Sequence, residues 1–161
     1  MTVQLKKPAA GAVALHAVTR ADLAEHLKAA PAATQRWLQA TGFSAAPDSQ
    51  ALVPDADGNL REVWVGVRSA SHPYALAALP RSLPVGRYRL ADEGLAIDAE
   101  AAALSWELGS YQFDLYKPAM RESASLMLPS SRAAQRGLMM AAAIASTRDL
   151  VNTPAEHMGP A

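Results

Sequence analysis

Apolar and polar positions change period repeatedly along the chain, and each change marks an element. Residues 11–18, Gly-Ala-Val-Ala-Leu-His-Ala-Val, form a short apolar run with β-branched members and predict a buried strand. Thr19 then offers an N-cap for a helix over 21–30, in which Leu23 and Leu27 share a face. Pro31 suits the first turn of a second helix that runs to about Ala40 and stops at Gly42. Residues 50–54 and 60–68 flank Asp55-Ala56-Asp57-Gly58-Asn59, a strong hairpin signal. Val63, Val65 and Val67 alternate with Trp64, Gly66 and Arg68, as in a strand with two different faces.

Further along, 71–79 reads as a short helix ended by Pro80 and Pro84, and 86–91 alternates as a strand. Asp98 is placed to cap a helix from Ala99 to about Phe113, with Leu104, Leu108 and Tyr111 on one face. Residues 123–128 predict another strand, closed by Pro129. Ser130 or Ser131 caps a final helix over about 132–151, with Leu138, Ala142 and Ala145 on one side. Asn152 is suited to a left-handed helix stop, and Thr153 is pushed into an extended conformation by Pro154. Strands and helices interleave throughout, so the expected fold is α/β, a mixed β-sheet flanked by helices in a single layered domain. That domain covers 1–130, followed over 131–161 by a connecting helix and a stretch that reads as a junction.

Composition narrows the function. The 161 residues allow one domain with a sizeable core. Fifteen Lys plus Arg balance 15 Asp plus Glu, which gives no electrostatic reason to expect nucleic acid or an anionic membrane as partner. Apolar residues are 50% of the chain, which argues against disorder, while abundant alanine and only 6% aromatics favour close helix packing. The absence of cysteine excludes disulfides, thiolate metal sites and a cysteine nucleophile. No long apolar core with a cleavage site follows Met1, and the later apolar runs are too interrupted to span a bilayer, so a soluble, cytoplasmic protein is expected.

Candidate chemistry is sparse. Asp55-Ala56-Asp57-Gly58-Asn59 opens like a calcium loop, but the sixth and twelfth positions hold Leu60 and Gly66, so a tight turn is the better reading. His16, His26, His72 and His157 lack metal-ligand spacing. His16 is expected packed and hydrogen-bonded in its strand, His26 on the exposed side of its helix, and His157 in the tail. Gly109-Ser110 lies inside a helix pattern, where a small residue permits close packing rather than nucleophilic chemistry. The nine glycines form no phosphate-cradling loop. Arg87 and Arg89 alternate around Tyr88 and, with Arg81, read as a solvated face with an anion contact as the minor alternative. Trp37, Trp64 and Trp106 read as core or interface anchors.

Two stretches carry a family resemblance. Arg148-Asp149-Leu150-Val151-Asn152-Thr153-Pro154, continuing to Glu156, Met158 and Pro160, resembles the interdomain boundary of the leucyl (cytosol) aminopeptidase family. Residues 106–116, Trp-Glu-Leu-Gly-Ser-Tyr-Gln-Phe-Asp-Leu-Tyr, resemble a helix of that family in which Gly-x-Tyr-x-Phe precedes a strand. The likeness covers roughly 70–161 and is slight over the first 70 residues. It implies a macro-domain-like fold and the amino-terminal scaffold domain of a metal-dependent exopeptidase whose catalytic domain is a separate partner. It also implies a hexamer, peptide substrates, and two divalent metal ions, zinc or manganese, bound by Lys, Asp and Glu of that other domain. The family's Asn-Thr-Asp-Ala-Glu-Gly-Arg motif is absent, and Asn152-Thr153-Pro154 lacks its ligands. No catalytic, cofactor-binding or metal residue is therefore carried over, and this chain alone is expected to be inactive. The alternatives are a free-standing macro-like module, tested against ADP-ribose, and a structural domain that self-associates through its alanine-rich helices.

Overall fold

The computed structural model describes residues 1–7, 11–116 and 122–157. Its elements run β1 (Val3–Leu5), β2 (Val13–Val18), α1 (Leu23–Ala29), α2 (Ala32–Ala40), β3 (Gln50–Pro54), β4 (Leu60–Gly66), α3 (Leu79–Ser82), β5 (Arg87–Leu90), α4 (Ala99–Ser110), β6 (Ser125–Leu128) and α5 (Arg132–Asn152), then a 3-10 turn at Ala155–His157. The strands form one mixed sheet in the order β1-β6-β5-β2-β4-β3. Only β3 is antiparallel to its neighbour, through the predicted hairpin, while β1, β6, β5, β2 and β4 run parallel. In that hairpin Asp55 Oδ1 accepts from the amides of Asp57 at 2.9 Å and Asn59 at 2.8 Å, which makes the turn self-sufficient without calcium.

Both sheet faces are covered, because alternate residues enter two different cores. Leu15, Val63, Val65, Tyr88, Leu126 and Leu128 face α4, where Trp106 is fully buried and donates Nε1 to the Ala124 carbonyl at 3.2 Å. Val18 and Trp64 face the other way, against Leu38 of α2 and the partly buried Leu23 and Leu27 of α1. The expected alternation of Val63 and Val65 with Trp64 is thus observed, with both sides buried rather than one solvated.

Several boundaries differ from expectation, each for a local reason. Residues 71–78 form successive i to i+3 turns, Ala75 to His72, Ala77 to Tyr74 and Leu79 to Leu76, instead of a helix. Pro80 lies in the first turn of α3, where its missing N–H costs nothing, so it starts an element rather than ending one. Thr19 is not the cap of α1: its hydroxyl donates to Asp22 Oδ2 at 2.7 Å, and Asp22 occupies the N-cap position. Helix α4 stops at Ser110, so Tyr111 leaves the face shared by Leu104 and Leu108. Asn152 remains helical, and α5 ends instead at an extended Thr153 before Pro154. The strand β1, a three-residue edge segment, was not anticipated; Glu107 Oε1 anchors it by accepting the amides of Thr2 and Val3, each at 2.6 Å.

The predicted caps of α4 and α5 hold. Asp98 accepts from Glu100 and Ala101 amides, and Ser131 from the Ala134 amide. The fully buried stripe of α5 is Ala134, Gly137 and Ala141; Leu138 packs against the core as expected and Ile144 is partly buried, whereas Ala142 is exposed. Small residues decide this contact: a Cβ on Gly137 would lie 2.4 Å from the Glu100 carbonyl oxygen, so only glycine lets α5 approach α4 so closely. Among the described residues, no helix is long and apolar enough to cross a membrane.

Candidate functional site

Two constellations emerge, one at the C-terminal end of α5 and one on the sheet. At the first, the Tyr111 hydroxyl donates to Asp149 Oδ1 at 2.7 Å and accepts from Asn152 Nδ2 at 3.2 Å. Arg148 covers the Tyr111 ring, its guanidinium carbon 5.3 Å from the centroid, and donates to the Leu108 carbonyl at 3.3 Å. Burial first, and then the Asp149 hydrogen bond, raise the Tyr111 hydroxyl above its ordinary 10.0. The Arg-Asp-Leu-Val-Asn stretch is therefore a latch that fixes the last turns of α5 to the end of α4. Tyr111→Phe removes both hydroxyl contacts, and amide exchange over residues 148–153 is expected to quicken several-fold while the sheet amides keep their protection. Unchanged exchange in that turn would show that the latch holds nothing. His157 is exposed yet hydrogen-bonded through Nδ1 to the Tyr116 hydroxyl, so it is not a free tail residue.

The second constellation is polar and buried. On β4, Glu62 Oε1 accepts from Thr34 at 2.7 Å and Arg61 at 2.9 Å, while Oε2 lies 3.5 Å from His16 Nε2. The neighbouring strand β2 pairs His16 with Trp64, and their rings stack at 4.9 Å and 12°. His16 is thus packed and hydrogen-bonded as expected. The hydrogen bond from His16 is the largest influence holding the Glu62 carboxyl down to about 2 from 4.5, with Thr34 and Arg61 acting the same way against a burial effect that raises it. Glu62 was not singled out from sequence. Its one signal is a carboxylate two residues before Trp64, on a strand face that has to be covered.

These groups floor a cavity of about 450 Å³ at the carboxyl ends of β2 and β5. His26 lines it and is half-buried, so its expected exposed placement is corrected: α1 turns that side toward the sheet. Arg89 also lines it, whereas Arg87 and Arg81 are exposed outside it. Helix α1 packs on one sheet face after β2 and α4 on the other after β5, so adjacent parallel strands send their connections to opposite sides. Such a switch point is where open α/β sheets form ligand crevices. His72 stands apart, its Nδ1 accepting the Tyr74 amide at 3.2 Å. Among the described residues, no group of three or more His, Asp or Glu could hold a metal ion.

The fold is a mixed α/β sheet flanked by helices, with α5 latched to the end of α4, and comparison gives its family. The family described as M17 aminopeptidase, N-terminal domain, matches residues 13–129, and the chain belongs to that family. The crystal structure of cytosol aminopeptidase from Coxiella burnetii is similar at 31% identity and a TM-score of 0.86, covering 99% of this chain and 35% of that one. The bottromycin maturation enzyme BotP is similar at 30% identity and a TM-score of 0.67, over 94% of this chain and 35% of that one. A tomato leucine aminopeptidase mutant, K354E, shares the fold at 19% identity and a TM-score of 0.59, over 96% of this chain and 39% of that one. The chain spans about a third of the length of these structures. None of the curated proteins matches it.

Proposed function

We propose that this chain is the amino-terminal scaffold and assembly domain of a metal-dependent leucyl aminopeptidase that removes amino-terminal residues from peptides in the cytoplasm. One observation carries the reading: the likeness to the Coxiella cytosol aminopeptidase runs over 99% of this chain but only 35% of that one. In this reading residues 1–130 are the domain proper, and 131–161 lead to a catalytic domain that is its main partner. Homo-hexamer assembly completes the enzyme, and neither nucleic acid nor membrane is a partner. Two zinc or manganese ions belong to the catalytic domain. The described residues of this chain offer no fitting ligand set, and no step of the hydrolysis is assigned to them.

The 161-residue chain is expected to leave leucine p-nitroanilide intact with or without manganese or zinc. Metal-dependent turnover by the purified chain would overturn the assignment, because it would place the chemistry within these residues.

A further inference from the structure

The cavity between β2 and β5 has no role in that reading, yet its walls are chemically specific. In sheet register Arg89 pairs with Ala14, and Ala14 with Glu62. Arg89 and Glu62 therefore flank a residue that is only a methyl group, two strand spacings or about 10 Å apart. The alanine leaves the floor open between the two charges. Glu62 is already held by Arg61, Thr34 and His16, so it does not neutralise Arg89. Arg89 itself is half-buried, donates to its neighbouring Leu90 carbonyl at 3.4 Å, and has no carboxylate in ion-pair range among the described residues.

Opposite charge lies at the mouth. Asp92 and Glu93 are exposed on the loop after β5, which runs along the end of β2 through Ala91 to Leu15 and Leu95 to Ala17 backbone hydrogen bonds of 2.9 and 2.8 Å. The third wall is apolar, formed by Val18, Ala29 and Pro31. Trp64 also lines the cavity; its Nε1 donor is buried and has no partner among the described residues. An orphan buried donor is uncommon in a settled core, so the Trp64 indole N–H is a sensitive reporter of changes at this wall.

We propose that this cavity binds a free α-amino acid with an apolar side chain, Arg89 taking the carboxylate and Asp92 with Glu93 the ammonium group. A simple anion would face the two acids, and a simple cation would face Arg89; a zwitterion answers both. The apolar wall receives the side chain, and the volume of about 450 Å³ lies within the range of small-molecule sites. The proposal stands on this cavity and not on the peptidase reading. Where that reading also holds, the ligand is of the same class as the released product.

The test follows the Trp64 indole N–H resonance of the 161-residue chain as L-leucine is added. A saturable shift at roughly millimolar affinity is expected, with the hydrogen-bonded indoles of Trp37 and Trp106 unmoved. Leucinamide, lacking the carboxylate, and 4-methylpentanoate, lacking the ammonium, should each bind about tenfold more weakly. Leucylglycine separates the two charges and should also bind more weakly; equal affinity would overturn the free amino acid in favour of a peptide. Arg89→Gln should abolish the shift, and the exposed pair Asp92→Asn with Glu93→Gln should weaken it several-fold without affecting folding. Leucine binding unaltered by both sets of changes, no shift at tens of millimolar, or a response to inorganic phosphate alone would each overturn the proposal.

Discussion

Replacing Gly109 by alanine is expected to lower the stability of the domain by about 3 kcal/mol, the upper end of the range for overpacking. A Cβ at this position would lie 1.9 Å from the Ala77 carbonyl oxygen, 2.7 Å from its carbonyl carbon and 2.9 Å from its Cα. All three are backbone atoms of the 71–78 turns, so no rotamer change relieves the clash. Either α4 must lift or the turns must shift. Lifting α4 would pull Trp106 from its fully buried site against Tyr88, where the ring centroids are 6.3 Å apart. Alanine favours an isolated helix over glycine by only about 1 kcal/mol, so steric exclusion outweighs propensity. Urea unfolding followed by tryptophan fluorescence measures the effect, with Ser110→Ala on the same turn as a control. An unchanged or raised midpoint for Gly109→Ala would show that the 71–78 turns yield freely.

The reading of Gly109 as a packing residue thus came directly from its place in a helical pattern, and the structure supplies the partner. Elements with a strong period were equally legible: the hairpin around Asp57-Gly58, the capped helix after Asp98 and the long final helix after Ser131. What sequence periodicity did not reveal depends on contacts remote along the chain. The fully buried stripe of α5 follows its small residues rather than its larger apolar ones, because close approach to α4 is set by backbone-to-backbone distance. Helix α4 ends early, before an extended Tyr111 whose side chain meets Asp149 and Asn152, 38 and 41 residues away. Strand β1 is too short to show a period and is held by its pairing with β6 and by the Glu107 carboxylate. The resemblance at Arg148–Pro154 correctly indicated the family, and the structure gives those letters a physical task in the latch. The cavity was the least legible feature. His16, Glu62 and Arg89 sit on three strands, and only the sheet order brings them to one face.

Acid should remove a definite share of this domain's stability through Glu62. Its carboxyl titrates near 2 in the folded protein instead of 4.5, so folding favours the ionised form. The depressed value fixes the sign: the contribution is fully present above about pH 4.5 and is lost as the pH falls toward 2. At 1.36 kcal/mol per pKa unit, the share is on the order of 2–3 kcal/mol after allowance for the 13% of the side chain still in contact with solvent. Glu62→Gln keeps the shape but cannot hold Arg61 and His16 by charge, so it should lack that share at neutral pH. The stability difference between wild type and variant is then expected to be largest near neutrality and to shrink almost to nothing near pH 2, whatever the other carboxylates do, since they titrate alike in both proteins. Chemical unfolding of the two proteins at matched pH measures that difference directly. Curves that stay parallel from about pH 6 to pH 2 would mean that the His16–Glu62–Arg61 cluster holds its geometry without stabilising the fold through charge.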